Sequence, residues 1–331
     1  MYKLGPHIIR NTNAAMEWTR KAAIVKSIDD IGPLANAPEG AIRVYRRYLP
    51  DQEGLARASP QAVANAILTG LRGYNHPRLY VEVFNEYRQT AAEIAFHADV
   101  VEQVTATLHR AGYRVAGFSF STGNPEPEVW QFLRSRGFCG VDAIALHEYW
   151  GMRGFSTWNA LRYRRVHEWL GGQHPPFVIT ECGRDAVEGA EGRPGWQRQG
   201  VTGDQYVREL LSYAAELEKD GYVLGGTVFT CGPYSDFAGF DVDGLVGRIP
   251  PASQTISIPD RPVTGGDMDI ITQYRSIYDQ WVAAGGVVNN FRRHLLAIGI
   301  LQPTQEDIRL LINEAYAANQ QLKQTADRFF R

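Results

Sequence analysis

The sequence predicts an α/β fold: a (β/α)8 TIM barrel over residues 1–285, followed by a C-terminal helical extension over 286–331. Three observations lead there. Short β-branched or aromatic runs recur through the first 231 residues and are separated by longer segments that suit helices. Eight strand-then-helix units in about 285 residues match the size of such a barrel. Alternation within the runs sets an apolar face, suited to a helix layer, against a small-to-polar face suited to a lumen. The structural competitor, a doubly wound open sheet, usually carries a glycine-rich first turn, and Gly5-Pro6-His7 is not one.

In chain order the strands are expected at 2–9, 22–28, 41–48, 78–86, 113–121, 141–149, 176–182 and 222–231. Helices fit between most of them, at 58–73, 89–111, 126–137, 156–171 and 202–219, with another at 267–284; the first two crossovers are short and poorly patterned. In 141–149, Ile144, Leu146 and Glu148 share one face, while Ala143, Ala145, His147 and Tyr149 share the other, which is read as the lumen. In 41–48 the same reading sets Ile42 and Val44 against Arg43 and Tyr45, making the latter two lumen residues. Residues 232–266, rich in Gly, Pro, Asp and Ser, read as a long irregular loop over the barrel mouth. A segment near 289–300 precedes a long helix at 304–329, with Thr304 and Asp307 near its start. Its apolar stripe of Ile308, Leu311, Ile312, Ala315, Leu322 and Phe329 suits docking on the barrel wall, self-association, or connection to another module.

Composition narrows the function classes. The 331 residues carry 34 Lys+Arg against 36 Asp+Glu, which gives no electrostatic reason to expect a nucleic-acid or anionic-membrane partner. No apolar run approaches the ~20 residues needed to cross a bilayer, and Met1 to His7 lack the apolar core of a secretion signal. The chain therefore reads as soluble, cytoplasmic or an excised domain of a secreted protein. Cys139, Cys182 and Cys231 are too scattered for a disulfide framework or a zinc site and read as structural thiols. His167-Glu168-Trp169-Leu170-Gly171 has glycine where a zincin needs its second histidine. No phosphate-loop or dinucleotide fingerprint is present, and Asp185, Asp236, Asp241 and Asp243 fit no calcium loop. No cofactor or metal is expected.

Active sites of these barrels sit at the carboxyl ends of the strands. Two runs stand out there: Leu79-Tyr80-Val81-Glu82-Val83-Phe84-Asn85-Glu86 and Phe177-Val178-Ile179-Thr180-Glu181. Burying a carboxylate at the end of an apolar strand is costly without a partner or a task. Strands three apart in an eight-strand ring would bring Glu86 and Glu181 to face each other across the mouth. A facing carboxyl pair is what glycosidic cleavage needs, one group to protonate the departing oxygen and one to attack the sugar or activate water. With Glu181 ionised, its charge favours a proton on Glu86, while cationic or hydroxyl partners keep Glu181 charged.

At these residues the sequence resembles clan A of the glycoside hydrolases, the retaining (β/α)8 glycosidases. The resemblance spans roughly residues 1–285 and rests on three motifs in order. Glu82-Val83-Phe84-Asn85-Glu86 looks like the clan's Glu-x-x-Asn-Glu strand, implying Glu86 as acid/base and Asn85 as partner of the sugar 2-hydroxyl. Thr180-Glu181-Cys182-Gly183 looks like its Thr-Glu-x-Gly strand, implying Glu181 as nucleophile. His147-Glu148-Tyr149 resembles its His-x-Tyr, implying that Tyr149 bonds the nucleophile and His147 lines the cleft. The chain departs from the clan in having Tyr87 where many members have proline. Its eighth strand ends Phe229-Thr230-Cys231 rather than in tryptophan, leaving Phe229 or Tyr234 as candidate sugar platforms. The arginine that the clan places near the nucleophile is assigned by parity to Arg43, with Tyr45 beside it. Trp150, Trp158, Trp196 and Tyr234 are candidates for stacking on sugar faces.

The expected activity is retaining hydrolysis of a β-linked oligo- or polysaccharide. Two other readings compete: a non-catalytic glycan-binding barrel within a larger surface or phage-like assembly, and a Schiff-base lyase built on Lys26. For Lys26, a lysine paired with a carboxylate is the default, and Glu82 is read as a hydrogen-bonded lumen residue. Glu148, on the opposite parity from His147, is read as a supporting or solvent-facing group.

Overall fold

The computed structural model describes residues 3–186 and 194–251. Eight parallel strands close into a barrel in sequential order, β1 to β8. They are β1 Leu4–Ile8, β2 Ile24–Ile28, β3 Ile42–Arg46, β4 Leu79–Glu82, β5 Arg114–Phe120, β6 Ala143–Trp150, β7 Phe177–Arg184 and β8 Val223–Cys231. The helices are α1 Asn13–Thr19, α2 Gly32–Asn36, α3 Gln52–Ala58, α4 Pro60–Leu71, α5 Ile94–Arg110, α6 Pro127–Ser135, α7 Arg162–Trp169 and α8 Gly203–Glu218. The expected (β/α)8 barrel is thus the observed fold. The helices expected at 267–284 and 304–329, the segment near 289–300 and the division at 285/286 lie outside the described residues.

Local chemistry explains where the helix bounds differ from pattern. The run 58–73 is broken at Ser59, whose Oγ accepts from the N–H groups of Gln61 and Ala62 and caps α4, with Pro60 at its first position. The segment before α7 is a side-chain-built turn in which Asn159 Oδ1 accepts from Ser156 and from the Ala160 N–H, so the helix begins only at Arg162. Part of the expected loop after β8 is two 3-10 turns, Ser235–Phe240 and Asp243–Arg248, of which the second buries Leu245 and Val246. Among the described residues no helix is long and apolar enough to cross a membrane.

Two apolar layers hold the barrel. Between strands and helices lies a large cluster that includes Trp18, Tyr45, Trp130, Trp150 and Tyr213, all fully or almost fully buried; each large side chain contributes roughly 1.5–3 kcal/mol. Inside the lumen, Ile24, Ile42, Val44, Tyr80, Ala143, Ala145, Val178 and Leu224 fill a smaller cluster. The lower lumen is therefore apolar, and this corrects the parity expected for β3. Ile42 and Val44 point inward, so Arg46, two residues on, is the lumen cation at the mouth, while Arg43 and Tyr45 point outward.

β7 carries the irregularity that matters most. Its register with β6 pairs Leu146 with Ile179 but His147 with Glu181, leaving Thr180 as an extra residue, a β-bulge. Strict alternation from the inward Val178 would turn Glu181 toward the helices. Instead Thr180 and Glu181 both face the lumen, and the displaced Thr180 carbonyl accepts from Thr227 Oγ1 at 2.6 Å.

Candidate active site

Glu181 sits at the mouth, buried, amid five polar groups. Its Oε1 lies 3.0 Å from Arg46 Nη1, 3.3 Å from Lys26 Nζ and 3.5 Å from His7 Nε2. Its Oε2 accepts from the Tyr149 hydroxyl at 3.0 Å and lies 3.5 Å from His147 Nδ1. Burial by itself would favour the neutral acid, but His147, Lys26 and Arg46 outweigh it and hold the carboxyl well below the usual range. Tyr149 is held the other way: burial and the Glu181 charge push its phenol far up, so it stays a donor.

A second carboxylate lies one layer below. Glu82 pairs with Lys26 Nζ at 2.7 Å, accepts from Thr180 Oγ1 at 2.8 Å and lies 3.6 Å from His147 Nε2. Burial opposes its ionisation, and Lys26 and His147 more than offset that, keeping Glu82 well below the carboxylate range. Lys26 thus bridges two carboxylates, the arrangement of a structural ion pair.

Glu86 is reached by a different route. The β4 ladder ends at Glu82, and the chain runs on through Val83, Phe84 and Asn85 to Glu86, whose φ is +48°. A left-handed backbone at a non-glycine residue costs roughly 1–3 kcal/mol and survives only where neighbours fix it. The Glu86 side chain is 39% exposed, open to the mouth, and its Oε1 lies 2.8 Å from His147 Nδ1. Because that same nitrogen is 3.5 Å from Glu181 Oε2, the two carboxyl oxygens are no more than about 6.3 Å apart, the sum of the two distances.

His147 is therefore the link between the carboxyl groups. Burial would strip its proton, yet Glu181, the nearby Glu82 carboxylate and the hydrogen bond to Glu86 hold it up at about 9. His7 goes the opposite way: burial and Lys26 hold it well below the usual imidazole range, so it is neutral at pH 7. Its Nδ1 is 3.2 Å from Thr230 Oγ1 and its ring lies 4.9 Å from Phe229.

The sequence-predicted residues divide into two groups. Glu86, Glu181, Asn85, His147 and Tyr149 are brought together, with Asn85 Oδ1 accepting from Arg46 Nη1. Phe229 joins them at the rim, edge-on to Tyr149 and Phe240. Tyr234 is exposed farther out, beneath the Arg10 guanidinium at 5.0 Å. Four other candidates do not reach the mouth. Arg43 donates instead to the carbonyls of Leu34, Ala37, Pro38, Glu39 and Ala41, pinning α2 to β3. Tyr45 is buried against α4, where a Cβ on Gly70 would lie 2.2 Å from its hydroxyl. Trp150 is fully buried, with its Nε1 on Glu209 at 3.0 Å and its ring beside Tyr213. Trp196 stacks on Tyr206 at 5.0 Å and donates to the Asp241 carbonyl. Glu148, buried rather than solvent-facing, accepts from Tyr213 Oη and from the Leu161 and Tyr163 N–H groups where α7 begins; burial raises it to about 7.

Arg46 and His7 escaped the sequence reading. Arg46 was findable by continuing the apolar face of β3 two residues beyond Val44; His7 gave no comparable signal. Beside Arg46 and Asn85 a recess of ≈ 180 Å³ opens, also lined by Arg47, Tyr48, Gln52 and Phe84.

No family model and no curated protein matches the chain. Among solved structures the barrel is similar to that of a GH128 (subgroup I) endo-β-1,3-glucanase from Amycolatopsis mediterranei, at 14% identity over 74% of this chain and 98% of that one, with a TM-score of 0.47. It is also similar to the endo-β-1,4-glucanase Xac0029 from Xanthomonas axonopodis pv. citri, at 11% identity over 73% and 92%, with a TM-score of 0.45. An endo-1,4-β-D-mannanase from Thermotoga petrophila RKU-1 gives 12% identity over 72% and 94%, with a TM-score of 0.45. The likeness is one of fold.

Proposed function

We propose that the chain is a retaining glycoside hydrolase acting on a β-linked glycan, with Glu181 as nucleophile and Glu86 as acid/base. The observation that carries this reading is the shared contact of His147 Nδ1 with both carboxyl groups. It brings one oxygen of each to within about 6.3 Å of the other, which admits the ~5–5.5 Å carboxyl spacing of retaining enzymes. The cations around Glu181 keep it ionised and ready to attack, whereas Glu86 is open to a leaving group.

In the first step a Glu181 oxygen bonds to the anomeric carbon as the glycosidic C–O bond breaks and the Glu86 proton passes to the departing oxygen. In the second, a water gives one proton to Glu86 and its hydroxyl to the anomeric carbon, freeing the Glu181 carboxylate. Asn85, carried on Arg46, and the recess beside it extend the cleft on the acid/base side. Exposed Tyr48, Trp158, Tyr234 and Phe237 supply aromatic faces on loops that follow β3, β6 and β8.

The test is a mechanism-based 2-fluoro β-glycoside panel. The label should appear on the peptic peptide containing Glu181. Glu86→Ala should slow cleavage of substrates with poor leaving groups by about 10²–10⁴-fold and spare activated aryl glycosides. No turnover and no label across the panel would remove the reading and leave glycan binding without catalysis.

A further inference from the structure

We propose that Gln52, at the start of α3, is a positioning residue for Glu86: its amide grips the peptide groups of Asn85 and so sets the direction in which the next side chain leaves the backbone. Gln52 Nε2 donates to the Asn85 carbonyl at 2.9 Å and Gln52 Oε1 accepts from the Asn85 N–H at 3.2 Å, so one side chain closes both backbone groups of one residue. A strand neighbour would ordinarily do this, but β4 has left its ladder at Glu82, three residues earlier. Gln52 therefore stands in for the missing strand, its amide offering a donor and an acceptor on separate atoms, as a peptide group does.

The neighbouring contacts fix what the amide leaves loose. The Glu86 N–H donates to the Ser119 carbonyl at 3.1 Å. On the far side, Glu53, the next residue of α3, accepts from Arg88 Nε at 2.8 Å, and Arg88 is itself left-handed at φ +41°. Two consecutive residues of one helix turn thus hold the chain before and after Glu86. Rotation of the Asn85–Glu86 peptide would swing the carboxyl away from His147 Nδ1, 2.8 Å away. Gln52 also borders the recess beside Asn85, so a direct sugar contact is the competing role that the test must separate.

The inference rests on the acid/base reading of Glu86, and the experiment has one readout that needs no turnover. Gln52→Met keeps the length and apolar stem but neither hydrogen bond; Gln52→Glu keeps an acceptor for the Asn85 N–H and carries the test should the first variant not fold. With aryl β-glycosides of graded leaving-group acidity, Gln52→Met should lower kcat about 10–100-fold on the poorest leaving group. It should leave KM and the most activated substrate within about 3-fold, and Gln52→Glu should fall between it and wild type. In parallel, the His147 ring N–H proton signal in NMR should shift or broaden in Gln52→Met. A rise in KM alone would make Gln52 a sugar contact. A uniform loss across the leaving groups, or an unchanged His147 signal in a folded variant, would overturn the proposal. If wild type cleaves none of the glycosides, the glycosidase reading fails, and the His147 signal alone decides whether Gln52 positions Glu86.

Discussion

Replacing Lys26 by methionine tests whether cations set the state of the carboxylates inside the barrel. Lys26 Nζ is fully buried, 2.7 Å from Glu82 and 3.3 Å from Glu181. Methionine fills much of the same volume and removes the charge, leaving Glu82 without its nearest cation, while Arg46 and His147 still serve Glu181. Breaking a buried pair by removing one partner costs about 3–5 kcal/mol, or about 6–20 °C in Tm for a domain of this size. The sign of the pH dependence follows from the same contacts. Burial disfavours ionisation of both carboxyls, yet Lys26 and its fellow cations hold them below their ordinary range. Their contribution is therefore present above the unfolded value near ~4.3 and is lost as pH falls through the folded one. Without Lys26 the carboxyls take up protons at higher pH, so the gap between variant and wild type should narrow from pH 7 towards pH 4. Urea unfolding followed by tryptophan fluorescence at several pH values measures this. A loss below about 1 kcal/mol at pH 7, or a gap unchanged at pH 4, would refute the ion-pair account.

The imidazolium of His147, held up at about 9 although burial opposes it, stabilises the fold fully below the unfolded value near ~6.5 and loses that contribution as pH rises through about 9. Wild type should therefore weaken over that window by up to about 3 kcal/mol, and His147→Gln should flatten the slope in the same urea titration. Tyr149→Phe removes the 3.0 Å donor to Glu181; a hydrogen bond to a charged group is worth about 1.5–3 kcal/mol, so kcat/KM should fall roughly 10–100-fold with the fold intact. Arg46→Ala and Arg43→Ala should separate activity from stability. The first should cut turnover of any glycoside that wild type cleaves, and the second should lower Tm while leaving the rate of the surviving folded protein within about 3-fold, because its five carbonyl contacts lie away from the mouth.

The barrel was legible because each strand is a short β-branched or aromatic run bounded by turn residues, and because the order of eight such runs leaves few topologies open. The glutamates were legible for a related reason: an ionisable group at the end of an apolar run is rare enough to be noticed. Side-chain direction was harder to read. On β3 polarity pointed the wrong way, since the floor of the lumen is filled by Ile24, Ile42, Tyr80 and Val178 and the charged layers begin above it, at Lys26 and Glu82. On β7 the inward turn of Glu181 depends on the extra residue at Thr180, and nothing in Ile179-Thr180-Glu181-Cys182 announces it. Trp150 looked like a rim aromatic because its partner Tyr213 lies on α8, far along the chain, and Trp196 because nothing in the short run to Tyr206 announces that the two rings stack. Gln52 is equally remote from Asn85 in sequence and carries no charge to draw attention.

The widened turn of β7 assigns adjacent positions to different trades. Thr180 belongs to the framework, steadying Glu82 with its hydroxyl and tying β8 through its carbonyl, whereas Glu181 carries its carboxylate to Arg46, Lys26 and Tyr149 at the mouth. In a regular strand those duties would fall two positions apart, roughly 7 Å along the axis, instead of on adjacent residues. Shortening the segment by one residue at Thr180 would leave Glu181 opposite His147 on the inner face but would remove the hydroxyl that meets Glu82 and the carbonyl that meets Thr227.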